Sequence, residues 1–187
     1  MNKNTGKLFV FLGLFMSLIV STAAPLISYL NLFLNLFIPQ ILGTVLNILS
    51  IASCILVVLG FFVVFVSERK ILDLLIAAAF AAIYVLNLVQ SFGVFNLYTP
   101  GVLETGVFTI ITFAAFIPYV FWFIKLIKTT SIGAISVLLS VLVSIFLPSI
   151  INRMLSPADA KYLLFYAIMS FIVSTLRAFA AYRDMRS

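Results

Sequence analysis

Between Lys7 and Glu68 the chain runs for 60 residues without a charged side chain. A membrane-crossing helix needs about 20 predominantly apolar residues, so the stretch is too long for one span and long enough for two. The break between them is written in the residues. Asn31, Asn35, Pro39, Gln40 and Gly43 cluster between two apolar runs, and Pro and Gly are the strongest local punctuators. Span 1 falls at about 8–30 and span 2 at about 44–67. The remaining sequence repeats the pattern, with spans at about 71–95, 103–126, 132–152 and 160–182. Glu68, Arg69, Lys70 and Asp73 precede span 3, and Pro100-Gly101 marks a turn before span 4. Lys125 and Lys128 end span 4, and Thr129-Thr130-Ser131 caps the start of span 5. Only 9% of the 187 residues are charged and 65% are hydrophobic, against about 25% charged in a soluble domain. The expectation is one all-α integral membrane domain over 1–187, a multi-pass protein with six transmembrane helices and the lipid bilayer as its partner.

Charge sets the orientation. With the N-terminus inside, nine basic residues face inward: Lys3, Lys7, Arg69, Lys70, Lys125, Lys128, Arg177, Arg183 and Arg186. Arg153 and Lys161 face outward. The positive-inside rule then places both termini in the cytoplasm, and the cell membrane is the expected location. Arg177 lies inside span 6 near its inner end, where a long side chain is expected to snorkel to the headgroups. The first helix has the basic start and small-residue run of a signal peptide. Pro25 would follow the cut after Ala24, and the apolar stretch continues, so it is read as a retained span.

The composition also narrows the chemistry. There is no histidine, the commonest general base and metal ligand. The single cysteine, Cys54, can form neither an intramolecular disulfide nor a Cys-x-x-Cys pair. The acids Glu68, Asp73, Glu104, Asp159 and Asp184 are scattered, and none stands at the middle of a span, where a proton relay would place one. A serine–lysine hydrolase stays open, but no motif favours it. The expectation is a chain that is not an enzyme and carries no cofactor or metal. The net charge of +6 is spread over span ends with no polybasic tract, which argues against nucleic acid as a partner.

A shift of 93 residues aligns Gly13 with Gly106, Phe15 with Phe108 and Pro25 with Pro118, and sets Tyr29 on Trp122. The offset is half the chain. Two halves of three helices each, an odd number, would have opposite orientation, as in inverted-repeat transporters. Chance matches in so apolar a sequence are the competing explanation.

The stretch Phe116-Ile117-Pro118-Tyr119, followed by Lys128-Thr129-Thr130-Ser131 and Ile135-Ser136, resembles the first-helix signature of PQ-loop proteins. That group includes the SWEET and SemiSWEET sugar transporters. The resemblance covers about 102–187 and implies a three-helix unit with Pro118 as its hinge proline. Tyr119 stands where the family has glutamine. The Pro39-Gln40 pair falls in an expected outer loop. Two-repeat members of the family also have seven spans and parallel repeats, a plan that six inverted spans do not follow.

Polar residues within spans are the candidate solute contacts: Asn47 in span 2, and Asn87 and Gln90 on one face of span 3. Interhelical hydrogen bonding is the structural alternative for all three. Thr109 and Thr112 share a face before Pro118. Tyr119, Phe121 and Trp122 approach the inner end of span 4, where an aromatic belt is expected. Tyr119 and Trp122 are also candidates for stacking on a solute, and Pro25 and Pro118 for hinges. Ala77–Ala79, Ala81 and Ala82 read as close helix packing, in a bundle core or a homo-oligomer interface. Two functions follow: a small neutral-solute transporter working by alternating access, or a non-catalytic integral subunit, assembly or immunity factor of a larger membrane complex.

Overall fold

The computed structural model describes residues 2–33, 40–91, 114–155 and 160–187. These form six helices: α1 (Lys3–Phe33), α2 (Gln40–Glu68), α3 (Ile71–Ser91), α4 (Ile117–Ile127), α5 (Ser131–Met154) and α6 (Ala160–Met185). Four of them, α1, α2, α5 and α6, are long and apolar enough to cross a membrane. Each helix packs on its neighbours in sequence, and α6 returns to α1, so the six close into a ring. Large apolar side chains cover the outside, among them Leu32, Ile41, Ile48, Ile71, Phe146 and Met154. A contiguous apolar exterior of this kind is the mark of a lipid-facing surface.

The connections follow local chemistry. Arg69 ends α2 in the left-handed region at φ 57, and its N–H donates to the Phe65 carbonyl at 2.7 Å. That conformation turns the chain within two residues into α3. Thr130 begins α5 as expected: its backbone is extended, and its hydroxyl accepts the Gly133 N–H at 2.9 Å. Pro25 lies inside α1, and the helix continues to Phe33 beyond it. Pro118 stands at a break in the helical pattern. Residues 115–116 form a turn, and Pro118 occupies the first turn of α4, where its missing N–H costs no helical hydrogen bond. The part of span 4 before 114 lies outside the described residues, with Gly106, Phe108, Thr109 and Thr112.

The α1–α2 pair is packed through backbone. A Cβ added at Gly60 would lie 2.6 Å from Val10 Cγ2 and 2.7 Å from the Gly6 carbonyl oxygen. One at Gly13 would lie 2.8 Å from the Ser53 carbonyl oxygen. Gly6 and Gly13 are seven residues apart on α1, as are Ser53 and Gly60 on α2, so two small-residue contacts fall on one stripe of each helix. The Ser53 hydroxyl donates to the Gly13 carbonyl at 2.8 Å across the contact. Small residues draw membrane helices together in this way, because close packing replaces a hydrophobic force that lipid cannot supply.

The main core gathers Val10, Val57, Phe61, Ile76, Phe80 and Trp122 with their neighbours from all six helices. A smaller cluster of Ile151, Met169 and Val173 joins α5 to α6. Of the alanine run in α3, Ala77 is buried while Ala78 and Ala82 are exposed.

Candidate functional site

Charges distant in sequence meet at one end of the ring. Lys7 of α1, Asp73 of α3, Lys125 of α4 and Asp184 of α6 are 4, 0, 7 and 4% exposed. Lys125 Nζ stands 2.6 Å from Asp73 Oδ1 and 3.7 Å from Asp184 Oδ2, and Lys7 Nζ stands 3.1 Å from Asp184 Oδ1. Lys7 also donates to the Asp184 backbone carbonyl and, at 3.2 Å, to the Ser187 hydroxyl. Two lysines and two aspartates balance, so no net charge is buried. Asp73 faces Lys125 closely, yet the alignment makes no hydrogen bond, and among the described residues both of its oxygens lack a hydrogen-bond donor. Outside this cluster, Glu68 pairs with Lys3 at 2.9 Å and with Lys70. The hydrogen bond from Lys70 to Glu68 holds the Lys70 ammonium above the usual lysine range. The acids are scattered in sequence; folding brings two of them into a buried network at the helix ends.

Deeper in the ring lies Arg177. The expected snorkelling does not occur. Its guanidinium turns inward and lies 3.9 Å above the Tyr119 ring of α4. Nε donates to the Ser140 hydroxyl at 3.4 Å and Nη2 to the Ser144 hydroxyl at 3.3 Å, both on α5. Those hydroxyls donate in turn to the carbonyls of Val137 and Ser140, which leaves their lone pairs for the arginine. Tyr84 of α3 is within electrostatic reach of Arg177 and Tyr119, and its hydroxyl meets the Cys54 thiol of α2. One turn before Arg177, the Ser174 hydroxyl meets that of Ser21 on α1 at 2.8 Å. Thr22, beside it, has a buried hydroxyl with no partner among the described residues. The interior is therefore more polar than two asparagines and a glutamine.

The sequence candidates divide. Tyr119 lies in this polar centre, in edge contact with Phe80 at 5.2 Å. Trp122 is fully buried rather than in a belt at the lipid surface. It meets Phe61 edge-on at 5.8 Å, and its Nε1 has no partner among the described residues. Asn47 is exposed on α2, outside the packed core. Asn87 and Gln90 fall in the last turns of α3, and their side chains lie outside the described residues. Pro118 is buried at the start of α4, and Pro25 is half-buried in α1. Among the described residues, no three of the His, Cys, Asp and Glu side chains converge as metal ligands do.

Compared with models of known protein families, with curated proteins and with solved structures, the chain matches none. The likeness of 102–187 to a PQ-loop unit therefore rests on its own residues.

Proposed function

We propose that the chain is a small-solute transporter of six membrane-spanning helices, working by alternating access around a site at Tyr119 and Arg177. The observation that carries this reading is the inward-facing Arg177. A charge at that depth is expensive, and membrane proteins keep such residues where a substrate or ion path needs them. With 21 residues, α3 reaches about 31 Å, the thickness of the hydrocarbon layer. The sixth span is the one the sequence expects at about 103–126, of which α4 is the described part. The basic end of the ring faces the cytoplasm of the cell membrane by the positive-inside rule.

The two kinds of helix contact support movement of α1–α3 against α4–α6. Inside the first half, α1 and α2 meet through glycine backbone, which leaves no room to slide. Between the halves there are two seams, α1–α6 and α3–α4. Lys7–Asp184 spans the first and Asp73–Lys125 the second. Buried ion pairs gain little over hydrated ions, so these pairs add little to the cost of parting the seams when water enters. Exchanging the two halves maps each packed pair of the ring onto another, as an inverted repeat requires. Pro25 and Pro118 are the hinges of this proposal.

The test is uptake of a panel of small labelled polar solutes by the purified protein in sealed liposomes. Accumulation of one of them above protein-free vesicles supports the reading. No accumulation, together with stoichiometric partners in a mild-detergent pull-down from the native membrane, would replace it by an integral-subunit role.

A further inference from the structure

We infer that Arg177 anchors a binding site for a small organic carboxylate. The carboxylate lies on the guanidinium, and its apolar body lies against Tyr84 and Tyr119. The inference names the substrate class of the transport site proposed above, and it replaces the neutral solute expected from sequence.

Depth comes first. Arg177 is eight residues from the end of α6, or about 12 Å along the axis. Ser140 and Ser144 are nine and thirteen residues into α5, about 14 and 20 Å from its start at the same end. This places the guanidinium about 12–20 Å in from the basic end of helices that are longer than a hydrocarbon layer of about 30 Å. A cation there needs an anion or many donors' partners. The described carboxylates do not serve. Glu68, Asp73 and Asp184 are all taken by lysines at the ring's end. The two serine oxygens are neutral, and their contacts are long for N–H···O bonds. Tyr119 covers one face of the guanidinium plane. Among the described residues, the serines and the tyrosine fix that plane while using two of the five N–H groups. A fixed, half-buried guanidinium fork matches a carboxylate, whose two oxygens accept parallel bonds.

The class of anion follows from charge and shape. One guanidinium balances one negative charge, and Lys125, on the same helix as Tyr119, is held by two aspartates. A phosphate dianion would leave a charge unmatched in hydrocarbon. Beside the cation stand the partly exposed rings of Tyr119 and Tyr84, both packed on the buried Phe80, at 5.2 and 6.0 Å, which offer an apolar wall with hydroxyls at its rim.

Trp122 is the only tryptophan, one helical turn from Tyr119, and reports on the site. The experiment titrates the protein in nanodiscs with cyclohexanecarboxylate, cyclohexanecarboxamide and inorganic phosphate, none of which absorbs near the tryptophan band. Trp122 fluorescence and thermal midpoint are followed. A charge-assisted bidentate contact predicts saturable binding of the carboxylate, about tenfold or more tighter than either the carboxamide or phosphate. Arg177→Gln should remove that preference. Equal binding of carboxylate and carboxamide, tighter binding of phosphate, or no saturable response to the carboxylate would overturn the inference. The wild-type comparison decides alone if the variant does not fold. Carboxylate binding without uptake of any solute would keep the site and refute transport. Uptake that Arg177→Gln leaves intact would keep transport and refute the site.

Discussion

Replacing Gly60 by alanine puts a methyl group where α1 already stands. The new carbon would lie 2.6 Å from Val10 Cγ2, 2.7 Å from the Gly6 carbonyl oxygen and 2.7 Å from the Val10 nitrogen. Two of these three atoms are backbone, so no rotamer change removes the clash. Restoring a contact of 3.4 Å requires α1 and α2 to separate by about 0.7 Å. A gap of 0.5–1 Å forfeits roughly a quarter to a half of the dispersion energy of the atoms that face it. Overpacking of this kind costs about 1–3 kcal/mol. Alanine also gains up to about 1 kcal/mol of helix propensity over glycine. Gly43, on the same helix, separates the two effects, because an added Cβ there meets nothing within 4 Å. Gly60→Ala should therefore be less stable than Gly43→Ala by about 1–3 kcal/mol, the clash alone. The assay is reversible unfolding in mixed micelles with rising mole fraction of a denaturing detergent, read by Trp122 fluorescence. Gly60→Ala as stable as Gly43→Ala would refute the close backbone contact.

Further variants probe other features by the same unfolding assay. Asp73→Asn leaves Lys125 buried beside one distant carboxylate and should destabilise by about 3–5 kcal/mol, whereas the double variant Asp73→Leu/Lys125→Leu should recover most of that loss. Thr130→Ala removes the hydroxyl that accepts the Gly133 N–H and should cost about 1 kcal/mol. Arg69→Gly relieves a left-handed backbone and should stabilise by about 1 kcal/mol.

The helices were legible because lipid imposes a simple rule. Apolar runs between charges gave the helices in order, and Thr130 announced the start of α5 by its capping chemistry. Helix α4 was less legible, because the turn at 115–116 before Pro118 leaves no break in the apolar pattern. The charged cluster was hidden for another reason. Lys7 and Asp184 are 177 residues apart, and each alone reads as a topology signal at a span end. Only the ring closure of α6 on α1 makes them partners. Arg177 misled in the same way: its position near a helix end fits snorkelling, and the inward turn depends on Tyr119, Ser140 and Ser144 lying on other helices. Tyr119 was a candidate on its residue type, but nothing in the sequence placed a cation over its ring. Gly6 and Gly60 each look like one more small residue until the two helices are brought face to face.

The pairing of Lys7 with Asp184 also imposes an order on biogenesis. At ribosomal rates of about 5–20 residues per second, Asp184 is made roughly 10–35 s after Lys7. Once α2 is made, α1 and α2 can lock through their glycines, while Lys7 still has no carboxylate to receive it. Lys125 is made later and has Asp73 at hand, so the α3–α4 seam can close first. The ring is completed only when α6 arrives and carries Asp184 to both lysines. A nascent chain halted before Asp184 would leave the α1–α6 seam without its ion pair and Lys7 without a carboxylate.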